Sequence, residues 1–432
     1  MITTEDTRQV KTKYETAETK TTPFGGLYVL SELLDQLSFH QIFDKVFGRT
    51  RRVRRYRPSQ NVSLLTAMII AGGERLSDVE LFADDPACAL FDLPSAPVDT
   101  SLRDDMRRIG ERDDARAELL LELNERLFEK TGIRSIVVDI DGTALPVDGH
   151  QEQAKKGYCP AEPGSRCFQS VKAVCDDTET VIARKTMPGN SHCSNGVIDF
   201  IRPWLNCLSE KLDSIELRLD AGFYSDELLT FLESYPNVSY EVGVPQHERL
   251  QEKVHRLDYR SYYGSERQYA SWAYGEGAGG AFRHYYAERG AKETGGQLEL
   301  FDADHYTCRV VVANRERRPN VVFDGYNKRA RVEKHIEELK NQYALGKLVS
   351  GCFAVTKALC WVSHLAFTLI GMLRQIAFRR NLKRYRLKRL RFLLFSAPGR
   401  FVEHAGKRVF KLGIARIGPQ QFDALMRRVW AF

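Results

Sequence analysis

The chain has 432 residues, 43% of them hydrophobic and 28% charged, a balance ordinary for soluble globular proteins and enough for two or three domains with a sizeable core. Sixty-four Lys and Arg stand against 57 Asp and Glu, a formal net charge of +7, so the mean excess is modest and its distribution along the chain carries the information. The nine cysteines are scattered, with no Cys-x-x-Cys pair and no Cys/His cluster of zinc-ligand spacing, and read as reduced thiols of a cytoplasmic protein.

Residues 1–22 contain MITTEDTRQVKTKYETAETK, which is polar, lacks the apolar core of a signal peptide, and reads as a flexible arm. Over residues 23–132 apolar positions recur at helical spacing in Leu27–Phe47, Ser63–Met68, Ser77–Ala83 and Ser101–Lys130, which predicts a helical domain. The loop RTRRVRRYRPSQ interrupts this pattern, and between Gly48 and Gly73 there are six Arg and no acid. Such a cluster suits a polyanion, so this domain is expected to bind DNA through Arg51, Arg52, Arg54 and Arg55.

At Ile133 the pattern changes. SIVVDIDGTALPV, CFQSVKAVCD and TVIARKTMP are apolar or alternating runs bounded by turn residues, which predicts three strands. A helix over Gly196–Leu212, the strand SIELRLD ending at Asp220, a helix over Asp226–Tyr235 and the strand VSYEVGVP follow. Three strands, helix, strand, helix, strand is the opening order of an RNase H-like fold. Residues 246–322 are rich in Tyr, Gly and charge, with strand-like pieces such as SYYGSERQYASWAYG, and read as a β-rich insertion. Helical character resumes near Asn327 and continues through ALCWVSHLAFTLIGML, where 16 residues including His364 make a buried helix a better reading than a membrane span. The tail RRNLKRYRLKRLR has eight basic residues in 13 and no acid. Uncompensated charges at that density repel unless phosphates neutralise them, so Lys383, Arg384, Lys388 and Arg389 are expected to contact DNA. The expected fold class is α/β. An RNase H-like catalytic domain at 133–378, with the insertion at 246–322, would be preceded by the helical DNA-binding domain and followed by a basic helical tail at 379–432.

Two kinds of phosphate chemistry fit VVDIDGTALP. An apolar strand followed by Asp-x-Asp-Gly-Thr resembles the first motif of the haloacid-dehalogenase-like phosphatases, which implies Asp139 as nucleophile and Asp141 as general acid and base. That family follows the motif with a helical crossover and later a Lys and an acidic pair, whereas strand patterns follow here. The second fit involves YNKRARVEKHIEELK, in which Tyr326, Arg329, Glu333 and Lys340 are spaced Tyr-x2-Arg-x3-Glu-x6-Lys. Offsets of three, four and seven put all four on one helix face. The spacing resembles the motif of bacterial insertion-sequence transposases with a DDE triad. DGHQEQAKKGY and LRLDAGFYSDEL further resemble the subfamily called DDE transposase group 1.

The transposase resemblance implies Asp141, Asp220 and Glu333 as catalytic metal ligands. Seventy-eight residues separate the first two and 112 the last two. In-line displacement at phosphorus builds charge on the entering and leaving oxygens, which two Mg²⁺ (or Mn²⁺) held by carboxylates stabilise. Tyr326, Arg329 and Lys340 would grip phosphates, and Trp272 in the insertion would stack on a base. Asp139 lies two residues before Asp141 and so on the same strand face, which makes it a further candidate ligand. The implied function is cut-and-paste DNA transposition by a bacterial, cytoplasmic, nucleoid-associated enzyme. It would bind double-stranded DNA, terminal inverted repeats and target alike, and assemble as a homodimer in a synaptic complex, with no membrane association. A non-catalytic repeat-binding protein derived from a transposase is the alternative from a different class.

Overall fold

The computed structural model describes residues 20–48, 55–262, 265–275, 282–291 and 306–432. Arg51, Arg52 and Arg54 of the basic loop, and residues 1–19 of the expected arm, lie outside the described residues.

The first helices are α1 (Tyr28–Gln36), α2 (Phe39–Phe47), α3 (Pro58–Ala71), α4 (Asp99–Gly110) and α5 (Asp113–Thr131). Two stretches that read as continuous are broken. Ser38, at φ 52°, ends α1 and starts α2, and Glu111–Arg112 separates α4 from α5. Leu76–Phe82 forms a 3-10 turn instead of an α-helix. Thr22 is also tied down, since its backbone exchanges hydrogen bonds of 2.8 and 2.9 Å with Gly399, so the expected arm does not extend to residue 22.

The strands and helices that follow are β1 (Ser135–Pro146), β2 (Lys155–Lys156), β3 (Arg166–Cys175), β4 (Thr180–Pro188), α6 (Val197–Ser209), β5 (Ser214–Leu219), α7 (Asp226–Glu233), β6 (Val238–Gly243), α8 (Glu248–His255), β7 (Arg260–Ser261), β8 (Gln268–Gly275), β9 (Phe282–Ala291) and β10 (Tyr306–Ala313). All ten strands form one mixed sheet in the order β2-β3-β1-β5-β6-β10-β9-β8-β7, with β4 beside β3. β1, β5 and β6 run parallel, while β1–β3 and β3–β4 are antiparallel. The β-rich stretch is thus no separate lobe. β10 pairs with β6 and adds β7–β10 to the main sheet, a long-range pairing that local pattern cannot reveal.

The remaining elements are α9 (Pro319–Asn327), α10 (Ala330–Gln342), α11 (Phe353–Ile376), α12 (Arg380–Lys383), α13 (Leu387–Leu390), β11 (Gly399–His404), β12 (Lys407–Leu412) and α14 (Pro419–Trp430). The tail is not wholly helical. GRFVEH and KRVFKL alternate in the β manner, and Ala405 and Gly406 at φ 50° and 72° close them into a hairpin. α11 has the length and apolarity to cross a membrane, but most of it is buried inside the protein, where α3, α4 and β4 pack against it. Helices from the first third, α11 and the tail share one hydrophobic cluster, so they are not separate cores.

The register gives the sheet two unlike faces, because side chains alternate along each strand and partners in a ladder share a face. One face presents Val138, Ile140, Ala173, Leu217, Leu219, Tyr240 and Val242 to α6 and α7. Across the middle of the other run Arg184 on β4, Lys172 on β3, Asp139 and Asp141 on β1, Arg218 on β5 and Glu241 on β6, all buried. Buried charges are expensive and cluster where chemistry is done.

Candidate active site

Asp141 lies on β1 and is 7% exposed. Its Oδ1 accepts a 3.0 Å hydrogen bond from the Gly142 N–H and lies 3.5 Å from Nη1 of Arg329. Gly142 cannot be another residue without rearrangement, since a Cβ there would come within 2.4 Å of Cys193 Sγ. Lys172 stands directly across the ladder from Asp141, fully buried, its Nζ without a hydrogen-bond partner. Burial pushes the Asp141 carboxyl above the usual carboxylate range, against the pull of Lys172 and Arg329. The same burial lowers the Lys172 ammonium to about 8, which Asp141 partly offsets.

Asp220 follows β5, where its Oδ1 accepts from the Gly222 N–H at 3.0 Å and caps the turn Ala221–Phe223. β1 and β5 are adjacent and parallel, so both aspartates stand at the same end of the sheet, close enough for the charge of Asp220 to act on Asp141.

The α9–α10 segment closes over them. The Tyr326 hydroxyl donates to the Leu219 carbonyl at 3.1 Å, one residue before Asp220, and Gly243 makes room for it, since a Cβ there would lie 2.6 Å from that oxygen. Arg329 sits where α9 passes into α10 and reaches Asp141. At the far end of α10 Lys340 Nζ donates to the Ala144 carbonyl at 2.9 Å. Three of the four spaced residues therefore bind the strand ends that carry the aspartates. Glu333 does not join them; it is exposed in the first turn of α10. Among the described residues no three His, Cys, Asp or Glu converge on a position where they could hold an ion. The two aspartates are hard oxygen donors of the type divalent ions require and fit such an ion as a pair of ligands, with Glu333 outside that pair.

Asp139 is 1% exposed and committed elsewhere. Nε and Nη2 of Arg218 donate to its two oxygens at 2.7 and 2.9 Å, the two-pronged geometry of a guanidinium on a carboxylate. Arg218 also lies 3.0 Å from Asp176 Oδ2 and donates from Nη1 to the Gly325 carbonyl at 2.9 Å. Asp139 is thus an anchor and not a metal ligand, and as a buried, doubly bonded group it cannot serve as a phosphatase nucleophile. Trp272 is also corrected: its ring stacks at 5.2 Å on Tyr285 and carries Lys253 Nζ at 4.7 Å, so it is a packing residue.

Among the basic candidates, Arg55 is exposed and donates to Ser95 at 3.0 Å. Lys383, Arg384, Lys388 and Arg389 are exposed along α12 and α13. Arg391 from the same run is not available, because it donates to the carbonyls of Ile69, Ile70 and Gln342. Lys172, Arg218 and Asp176 were not anticipated. Alternation places Lys172 and Asp141 on faces of their own strands, but only the β1–β3 register makes the faces one.

Buried aspartates at the ends of adjacent parallel strands, covered by a helix that brings Arg and Lys to them, define a centre for phosphate chemistry. Residues 6–429 match the family model described as Transposase DDE domain group 1, and the chain belongs to that family. A solved structure with 12% sequence identity, the piggyBac transposase synaptic complex with hairpin DNA, covers 88% of this chain and 83% of its own, with a TM-score of 0.40. A likeness of that size carries no argument here. No curated protein matches.

Proposed function

We propose that this transposase-family protein cuts DNA at the inverted repeats of its element and joins the released ends to target DNA. The observation that carries the reading is the docking of Tyr326, Arg329 and Lys340 onto Leu219, Asp141 and Ala144. A solvated amphipathic helix would have no reason to bond to the strand ends that bear two buried aspartates. The order β4-β3-β1-β5-β6, antiparallel on one side of β1 and parallel on the other, supports an RNase H-like assignment for the catalytic part.

Asp141 and Asp220 would hold a divalent ion, Mg²⁺ or Mn²⁺, with Glu333 proposed as a further ligand. Such an ion supplies charge stabilisation at the scissile phosphate and a more acidic bound water. The protein's own part is positional. The β-strands fix the two carboxylates, and the Arg329 guanidinium is placed to donate to phosphate oxygens as it leaves Asp141. Tyr326 and Lys340 hold the two ends of the covering segment on the sheet. In the first step a water oxygen bonds to phosphorus, its proton departs, and the bond from phosphorus to the 3′ oxygen breaks. In the second the freed 3′-OH attacks a target phosphodiester. Double-stranded DNA is the partner, bound through the exposed basic side chains of α12 and α13, with two copies of the chain bringing two ends together.

One observation favours the alternative, a repeat-binding protein without catalysis: Glu333 lies outside the site. Excision from a supercoiled plasmid carrying the element decides between the two. Wild type should excise with Mg²⁺, while Asp141→Asn, Asp220→Asn and Glu333→Gln should each reduce excision at least a hundredfold. Excision that survives Asp141→Asn would overturn the metal-ligand assignment, and a wild type that binds the repeats without cutting would establish the alternative.

A further inference from the structure

Beside the two aspartates lies a cavity of about 390 Å³ that the proposed cleavage does not use. Asp220, Gly142, Gln169, His192, Phe223 and Tyr158 contribute to its wall. Tyr158 is 80% exposed, the most open of the large apolar side chains. Its backbone is nevertheless tightly held. Gln169 Nε2 donates to the Tyr158 carbonyl at 2.8 Å, and the loop is pressed onto a neighbour at two glycines. A Cβ on Gly157 would fall 1.8 Å from the Gly189 carbonyl oxygen, and one on Gly189 would fall 2.1 Å from that of Cys167. The loop is therefore built to present this ring at a fixed place while leaving it in water, an arrangement that costs apolar exposure and gains nothing for the isolated fold.

The residues preceding the ring are two exposed lysines, Lys155 and Lys156 on β2, and no acid occurs between Gln153 and Ala161. An aromatic face at the rim of a cavity, next to uncompensated cations, is the composition that binds unpaired nucleotides: the ring stacks on a base and the cations follow the backbone. A base paired in a duplex has both faces covered by its neighbours and cannot use such a platform, so the occupant is single-stranded.

We infer that the Tyr158 cavity binds an unpaired nucleobase of the DNA strand, with Lys155 and Lys156 on the adjoining phosphates. The site rests on the reading of the neighbouring aspartates as a DNA-cleaving centre, which opens strands at that place. It distinguishes single from double strands and not one sequence from another, because every base offers a π face.

The test uses the full chain, a chelator so that nothing is cut, and two probes: a fluorescent oligothymidylate and a duplex of the same length. Stacking on an aromatic contributes about 1–3 kcal/mol per base, so Tyr158→Ala should weaken oligothymidylate binding roughly 5- to 150-fold while Tyr158→Phe, which keeps the ring, binds like wild type. Duplex affinity and melting temperature should be the same for all three proteins. Oligothymidylate bearing 5-iodouracil should cross-link under ultraviolet light to Tyr158. Unchanged oligothymidylate binding by Tyr158→Ala, or an equal loss on the duplex, would overturn the inference. Because no cleavage is read, failure here leaves the plasmid excision result untouched, and failure of excision leaves this one readable.

Discussion

Asp139 and Asp141 are two residues apart, face the same way and are both buried, yet their replacement should have opposite consequences. Asp139→Ala removes both acceptors of the Arg218 fork and leaves a buried guanidinium with only Asp176 and the Gly325 carbonyl. Breaking a buried ion pair from one side costs about 3–5 kcal/mol. At about 2.1 cal/mol/K per residue, a chain of 432 residues has an unfolding entropy near 0.9 kcal/mol/K, so the melting temperature should fall by about 3–6 °C. Asp141→Asn removes a charge that burial already disfavours and keeps an acceptor for the Gly142 N–H, so its melting temperature should hold or rise slightly while excision is lost. The double variant Asp139→Ala/Arg218→Met deletes both charges and should recover a good part of the loss, which makes the cycle diagnostic. Calorimetry and the plasmid assay on the same preparations read both quantities. An Asp139→Ala protein that melts like wild type but cannot excise would refute the reasoning, for it would make Asp139 a ligand and not an anchor.

Other expectations follow from the same site. Gly142→Ala forces a Cβ toward Cys193 Sγ and should cost about 1–3 kcal/mol in urea denaturation, most of it restored by adding Cys193→Ala; no restoration would mean the strain lies elsewhere. Burial, with Glu216 adding to it, raises the Glu241 carboxyl to about 8. Its folded value thus exceeds its unfolded one, so the stability linked to it is full at acid pH and is lost as pH rises toward and through 8. Glu241→Gln should remove that decline, and the stability difference between variant and wild type, measured from pH 5 to 9, should grow with pH; a flat difference would refute it. Alanine at Lys383, Arg384, Lys388 and Arg389 together should flatten the salt dependence of repeat binding, by about 0.9 in log–log slope for each phosphate no longer neutralised, with a change in stability of only about 0.5 kcal/mol or less. Arg391→Ala should instead destabilise the fold, because three carbonyls are deprived of their donor.

The parts of the site that were legible in the sequence are those with local signatures. Asp141 and Asp220 each end an apolar run, and Tyr326, Arg329 and Lys340 stand at fixed offsets on one amphipathic helix. What was not legible depends on register and on long-range pairing. Lys172 reads as one polar residue in an apolar strand until β3 is laid antiparallel on β1, and Arg218 as a surface position of β5 until Asp139 is placed beside it. The β-rich stretch read as an insertion because nothing in its own residues shows that Val312 pairs with Val242. Helix ends failed where a single backbone angle decides them, as at Ser38, whose φ of 52° no propensity for Ser predicts.

The charged sheet face explains why those illegible residues matter. A row of buried cations and carboxylates contributes little to stability, and an apolar row of similar volume would often contribute more. Here the row divides into two parts. From β1 toward β6, Asp139, Arg218 and Glu241 answer one another and bond to Gly325, which fixes the start of the segment bearing Tyr326 and Arg329. From β1 toward β4, Asp141, Lys172 and Arg184 are left without such closure, with Lys172 Nζ and Arg184 Nε unsatisfied. The satisfied half acts as scaffold and the unsatisfied half faces the reaction, since groups kept short of partners in the resting fold are those with interactions left to offer a substrate phosphate and its ion.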